Sequence, residues 1–284
     1  MAEKRSFSRP HHTLIIPGHA GHTRHRHLLI FRNMHLALLL LVCLLGAAAG
    51  CRSDEVSSTA PRATTTAPTQ TPTTATPPRP VRIMPLGDSI TQGDSDHNTY
   101  RRPLWKSLEG EGFRVDFVGS LRAHHRGAPP LDDFDRDHEG HWGWRADEVL
   151  DRIRGWIAES EPDVILIHLG SNDLFQNESI ESTLSELSEI IDAVRETRPE
   201  ATFLLAQIIP TTTRAANARI FDLNARIPEL AASKSKPSSR VIVVDQHSGF
   251  DAARQTYDGV HPNPDGEIHL SERWLEALEE ILPR

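Results

Sequence analysis

Apolar residues along the chain follow two different periods. Five short runs read as strands: "VRIMPLG" at 81–87, "FRVDFVGS" at 113–120, "DVILIHLG" at 163–170, "TFLLAQIIP" at 202–210 and "RVIVVD" at 240–245. The third and fifth are nearly continuous in Val, Ile and Leu, as strands covered on both faces are. Between the runs the spacing changes to that of a helix. Ile180, Leu184, Leu187, Ile191 and Val194 recur every three or four residues, and Ser179 is placed to cap the helix they predict. Residues 146–158, 217–232 and 267–282 read as helices in the same way. Strands alternating with helices predict an α/β fold with a parallel sheet between two helical layers. Pro85 fits badly, since proline brings no N–H to a ladder, and the first strand's pairing is expected to weaken there.

This pattern fills residues 81–284 of the 284-residue chain, a normal size for one domain with a full core. What precedes it is different. Residues 1–35 carry Lys4, Arg5, Arg9, Arg24, Arg26 and Arg32 against the single acid Glu3. An uncharged apolar run, Leu36 to Gly50, follows and is too short to span a bilayer comfortably. A basic region, a short apolar core and small residues before a cleavage point make residues 1–50 an export signal. Residues 51–80 are mostly Thr, Pro, Ala and Ser, with little to bury, and are expected to form an extended, disordered linker. The string "AAAGC", ending at Cys51, resembles the lipobox of bacterial lipoproteins. That resemblance implies lipidation of Cys51, a membrane anchor and an extracytoplasmic location. The other reading is a plain secretory signal with a secreted product.

Charge and cysteine content narrow the chemistry. Removing the six basic residues and one acid of residues 1–50 from totals of 31 and 39 leaves 25 and 38, a formal charge of −13. An acidic domain lacks the basic face that nucleic-acid binding needs. Cys43 and Cys51 are the only cysteines, so the domain has no disulfide, no thiol nucleophile and no cysteine metal ligand.

In parallel α/β sheets, ligands bind beyond the carboxyl ends of the strands. Ser89 follows the first strand, "GSNDL" at 170–174 follows the third, and "DGVHPN" at 258–263 lies after the fifth, so three polar clusters should meet at one edge. Residues 120–141 and 246–264 are long connections without a regular pattern, the kind that carries function. A serine hydroxyl becomes nucleophilic when a base takes its proton and a carboxylate orients that base. His261, with Asp258 three residues before it, offers both on one short loop. Acyl transfer also needs donors for an oxyanion, and Asn172 and Gly143 offer a side-chain amide and a bare backbone N–H. The blander readings are ordinary turns at "GDS" and "GSND" and a chance Asp-x-x-His. His168 is expected to be a satisfied core residue, and His124, His125, His138 and His141 solvated loop residues. His247, two residues after Asp245, is a weaker competitor for the base. The acidic "DDFDRD" at 132–137 lacks the glycine and the final glutamate of an EF-hand calcium loop and reads as solvated.

Taken together, Ser89 in "GDSIT", Gly143 in "GHWGW", Asn172 in "GSND" and His261 in "DGVHPN" fall in the order of the SGNH, or GDSL-type, hydrolases, which residues 81–284 resemble. The resemblance implies a three-layer α/β/α sandwich, flavodoxin-like, with a central parallel five-stranded sheet. It implies Ser89 as nucleophile, His261 as base and Asp258 as its partner, with the N–H groups of Ser89 and Gly143 and the Asn172 amide as oxyanion donors. The strings "RIMPLGDSITQG", "YRRPLW", "VDFVGS", "HEGHWGW" and "DGVHPN" are similar to the acetylxylan esterases of carbohydrate esterase family three. That group more often has Ser at the position of Trp142 and Thr at that of Ser171. The implied reaction is removal of acetyl groups from a polysaccharide through an acyl-serine intermediate, with no metal and no organic cofactor. Trp142, Trp144, Tyr100 and Arg101 are candidate substrate contacts, while Trp105, Trp156 and Trp274 fall in helical patterns and read as core. A base must be neutral to act, and free imidazoles titrate near ~6.5, so activity is expected to rise with pH across that region. Two other readings stay open: a lysophospholipase or thioesterase on the same catalytic set, and a non-catalytic carbohydrate-binding lipoprotein.

Overall fold

Strand β1 (Val81–Gly87) starts the fold and leads directly into the four-residue helix α1 (Ser89–Gln92). After α2 (Arg101–Gly110), β2 (Val115–Phe117) and β3 (Glu139–Gly140) come α3 (Ala146–Leu150), α4 (Ile153–Ser160) and β4 (Val164–His168). The second half runs α5 (Ser171–Phe175), α6 (Ile180–Arg195), β5 (Thr202–Gln207), α7 (Arg214–Lys234), β6 (Val241–Asp245), α8 (Ala252–Gln255) and α9 (Pro264–Glu279). This is a computed structural model, and it describes residues 79–284. The expected signal at 1–50, the lipidation site Cys51 and the linker 51–80, save its last two residues, lie outside the described residues.

All strands pair in parallel, in the order β2-β1-β4-β5-β6. The expected parallel sheet is therefore present, with a sixth, two-residue strand added. β3 pairs with Leu86 and Gly87 on the edge of β1 that β2 covers only as far as Ile83. Pro85 falls in the gap between them. Ile83 O accepts from Val118 N and Gly87 O from His141 N, both on that edge. Backbone groups alternate sides along a strand, so the proline nitrogen faces the same gap, where no ladder bond is lost.

Alternation along the buried strands splits the core into two halves. Met84, Leu86, Ile165, Ile167, Phe203 and Leu205 face α3, α4, α6 and α7. Ile83, Phe117, Leu166, Leu204 and Val244 face α2 and α9, where Tyr100, Leu104, Leu270 and Trp274 fill the other half. Ser179 caps α6, its hydroxyl accepting from Ser182 N at 3.0 Å. The helix expected over 146–158 is two helices, α3 and α4, broken at Asp151 and Arg152.

The long segment after β2 is held at its base, where Leu121 and His138 exchange backbone hydrogen bonds of 3.1 and 2.9 Å. Its histidines correct the expectation that they are solvated. His124 and His138 are buried. His141 pairs with the buried Glu139 at 2.7 Å and stacks on Trp144 and Trp156. His168 is buried as expected, but neither ring nitrogen has a partner among the described residues, and burial lowers its pKa to about 4.

Candidate active site

The edge formed by the carboxyl ends of the strands begins with a steric constraint. A Cβ on Gly87 would lie 2.4 Å from His168 O and 2.5 Å from Thr91 Oγ1, so only glycine lets β1 approach β4 this closely before the turn. Asp88 then stops the strand and starts α1, its Oδ1 accepting from Ile90 N at 3.0 Å. Ser89 is the first residue of that helix, its hydroxyl turned to the edge. Asp88 is wholly buried and its Oδ2 has no partner among the described residues. Burial raises its pKa to about 6, against the pull of the Ile90 N–H and the nearby His261.

On the far side of the edge, the loop between α8 and α9 is closed on itself. Tyr257 N donates to His261 O at 3.0 Å, and Asn263 N to Gln255 O at 2.9 Å. The Oδ1 of Asp258 accepts from the N–H groups of Val260 and His261 at 2.9 and 2.8 Å. Its Oδ2 lies 2.7 Å from His261 Nδ1. Burial alone would push the Asp258 carboxyl up, but these bonds and the neighbouring imidazole hold it below the usual range. An ionised carboxylate only accepts, so the Nδ1 carries the proton. Nε2, 2.9 Å from Ser89 Oγ, is then the acceptor for the serine proton. Residues 172 positions apart in sequence thus form one hydrogen-bonded line, the arrangement that activates a serine.

The third side is the turn His141–Trp144. Trp144 N donates to His141 O at 3.2 Å, and Gly143, third in the turn, has φ +81°, as a type II turn requires. A Cβ there would meet nothing within 4 Å, so the space over Gly143 is open. Asn172, in α5 just beyond β4, gives one amide hydrogen to Trp144 O at 2.9 Å, which keeps the second for a ligand. Its neighbour Asp173 is buried and accepts from Ala146 N at 3.1 Å, which ties α5 to the start of α3. Burial pushes the Asp173 pKa up to about 7.

Two candidate substrate contacts do not reach the edge. Tyr100 is buried with its hydroxyl 3.1 Å from Thr91 Oγ1. Arg101, also expected at the substrate, is fully buried. It donates to the carbonyls of Thr91, Gln92 and Arg136 at 2.8, 3.0 and 2.9 Å, and its Nη2 lies 2.7 Å from His124 Nε2. With no carboxylate paired to it among the described residues, this cation is a clamp on the carbonyl end of α1. Trp144 is half-buried and stacks on His141 at 4.3 Å. Trp142 lies parallel to the imidazoles of His125 at 4.4 Å and of His261 at 4.6 Å, so its stacking surface is already engaged by protein. His247 donates its backbone N–H to Asp245 and makes no hydrogen bond with Ser89 among the described residues.

Gln92, Tyr257 and Asp94 also shape the site and were not singled out by the sequence. Gln92 Oε1 accepts from Trp142 N at 2.7 Å. Tyr257 gives its hydroxyl hydrogen to Asp94 at 3.0 Å and stacks on His97 at 3.9 Å. Tyr257 and His97, with Ser89, Ile90, Thr99, His261 and Glu267, line a space of about 10 Å³ beside the serine, about enough for one water. "DSDHN" at 94–98 contains the acid and the imidazole, but nothing local says that they meet Tyr257. Among the described residues, no group of three or more His, Cys, Asp or Glu is arranged to hold a metal ion.

Residues 86–267 match the model of the GDSL-like lipase/acylhydrolase family. A multidomain esterase from Ruminococcus flavefaciens is 31% identical in a 226-residue alignment that covers 71% of this chain and 29% of that protein. The chain thus spans less than a third of that relative's length. Among solved structures, a carbohydrate esterase family 3 protein from Talaromyces cellulolyticus is 29% identical with a TM-score of 0.64, over 71% of this chain and 97% of that one. A family 3 carbohydrate esterase from Clostridium thermocellum is 30% identical with a TM-score of 0.62, over 72% and 97%.

Proposed function

The chain belongs to the GDSL-like lipase/acylhydrolase family, and from that premise we propose that it is a serine esterase that removes acetyl groups from an acetylxylan-type polysaccharide. The observation that carries this reading is the line Asp258–His261–Ser89, with separations of 2.7 and 2.9 Å. Ser89 Oγ attacks the ester carbonyl carbon while its proton passes to His261 Nε2. The oxyanion is met by the N–H groups of Ser89 and Gly143 and the free amide hydrogen of Asn172. The bond to the sugar oxygen breaks, and that oxygen takes the proton from Nε2. Water then gives a proton to Nε2 and attacks the acyl carbon; Ser89 Oγ leaves with that proton, and acetic acid is released. Asp258 stays ionised throughout and holds the imidazole. The small space beside Ser89 supports a short acyl group, and the similarity to family 3 carbohydrate esterases supports a sugar leaving group.

The test is hydrolysis of p-nitrophenyl acetate and acetylated xylan, with Ser89→Ala as control. Cleavage of both by the wild type and neither by the variant is expected. Cleavage of the small ester alone would refute the polymer, and cleavage of neither would refute the hydrolase. We also propose that the protein is exported and lipidated at Cys51, on the strength of the apolar run before it; a labelled fatty acid should be incorporated and Cys51→Ala should abolish incorporation.

A further inference from the structure

Two hydrogen bonds hold the His261 ring by its two nitrogens. They fix the line through Asp258, the ring and Ser89. They leave the tilt of the ring about that line unopposed, and a ring that tilts turns the Nε2 lone pair away from the Ser89 hydroxyl that donates to it. Only groups on the faces of the imidazole resist this motion. Trp142 lies 4.6 Å away at an interplanar angle of 20°, and Tyr257 lies 5.6 Å away at 16°.

Trp142 has no other evident task. Trp105, Trp144, Trp156 and Trp274 all pack in or against one half of the core, and Trp142 packs against neither. It is instead held in place from two directions. Its backbone N–H is bound at 2.7 Å by the side chain of Gln92, the last residue of the helix that opens with Ser89. Its indole rests on the His125 ring at 4.4 Å, and His125 N is tied to Gly93 O at 2.9 Å. Ser89, Gln92, Trp142 and His261 therefore make a closed circuit, so the serine and the support of its base move together.

Resting on the reading of His261 as the base, we propose that Trp142 is a positioning residue of the reaction, its indole setting the tilt of the imidazole between Asp258 and Ser89. The role has a chemical side as well. When Nε2 takes the serine proton, the ring becomes a cation against an indole face, the best of the aromatic faces for a cation. The attraction is greater in the charged transition state than in the neutral ground state, so it acts on kcat.

The experiment compares wild type, Trp142→Ala and Trp142→Phe on p-nitrophenyl acetate, with melting curves to show that each is folded. Trp142→Ala should lower kcat by roughly three- to thirty-fold with little change in KM, the span expected for one cation–π contact. Trp142→Phe, which keeps a ring face, should recover most of that loss. A second arm needs no turnover. Two imidazoles face Trp142, so the emission is read in a His125→Gln background, as the difference from the same protein carrying Trp142→Phe. That emission should be quenched as pH falls, and His261→Ala should remove the quenching. Unchanged kcat in Trp142→Ala, a Phe variant as impaired as the Ala variant, or emission indifferent to His261 overturns the role. A wild type that cleaves no ester overturns the hydrolase reading and this role with it; active wild type and equally active Trp142→Ala overturn this role alone.

Discussion

Replacing Asp88 by asparagine should remove a pH dependence of stability that the wild type carries. The carboxyl is wholly buried, and its pKa rises from 3.8 to about 6 because burial penalises the charge. The folded protein thus holds this proton more tightly than the unfolded chain. The group costs nothing below the unfolded value and destabilises progressively as pH rises from about 4 to about 6. At about 1.4 kcal/mol per pH unit the full loss comes to about 3 kcal/mol, present from pH 7 upward. Asparagine keeps the Oδ1 acceptor that caps Ile90 N at 3.0 Å, so the start of α1 survives. Its amide leaves a polar group unpaired where Oδ2 is unpaired now, but that cost does not vary with pH. Urea unfolding of both proteins at pH 4 and pH 7.5 isolates the effect, because most other carboxylates cancel in the difference. Relative to wild type, Asp88→Asn should gain roughly 2–3 kcal/mol between the two pH values, since a little of the effect is already present at pH 4. A difference that is the same at both would refute the reasoning, since Asp88 would then titrate alike in the folded and unfolded chains.

Asn172→Ala removes one oxyanion donor and should lower kcat on p-nitrophenyl acetate by roughly 10²–10³-fold, checked by steady-state kinetics. Arg101→Met strands the buried carbonyl of Thr91 and the partly buried ones of Gln92 and Arg136 and should cost roughly 3 kcal/mol in urea unfolding. Tyr257→Ala opens the wall of the small space beside Ser89. It should raise hydrolysis of butyrate relative to acetate by roughly tenfold, two methylenes' worth of burial, measured as a ratio of kcat/KM values. Gly143→Ala forces a side chain into φ +81° and should lower kcat with only about 1–2 kcal/mol lost in stability.

Much of the architecture is legible in the sequence. Five apolar runs became the five ordered strands of the sheet, because strands that bury most of their length write short apolar runs into the sequence. The two-residue β3 was not legible, since Glu139 and Gly140 have no strand pattern and pair only where β2 has ended. Asp258 and His261 could be paired from their spacing, because three residues on one loop are necessarily close. The histidines of residues 124–141 misled for the opposite reason. Polar loops are usually wet, but this one folds over the buried Arg101 and Glu139, which only distant contacts reveal.

The sequence by itself determined which chemistry was available: a serine at a strand end, an imidazole with a nearby carboxylate, a glycine and an asparagine for an oxyanion. These follow from local rules of turn, strand and residue type. The tertiary structure alone decided which groups meet across the chain. It withdrew Tyr100 and Arg101 into the core, laid Trp142 on His261, and walled the space beside Ser89 with Tyr257 and His97. Such pairings depend on how strands and helices stack in three dimensions, and short-range patterns hold no information about which far side chain fills the facing position.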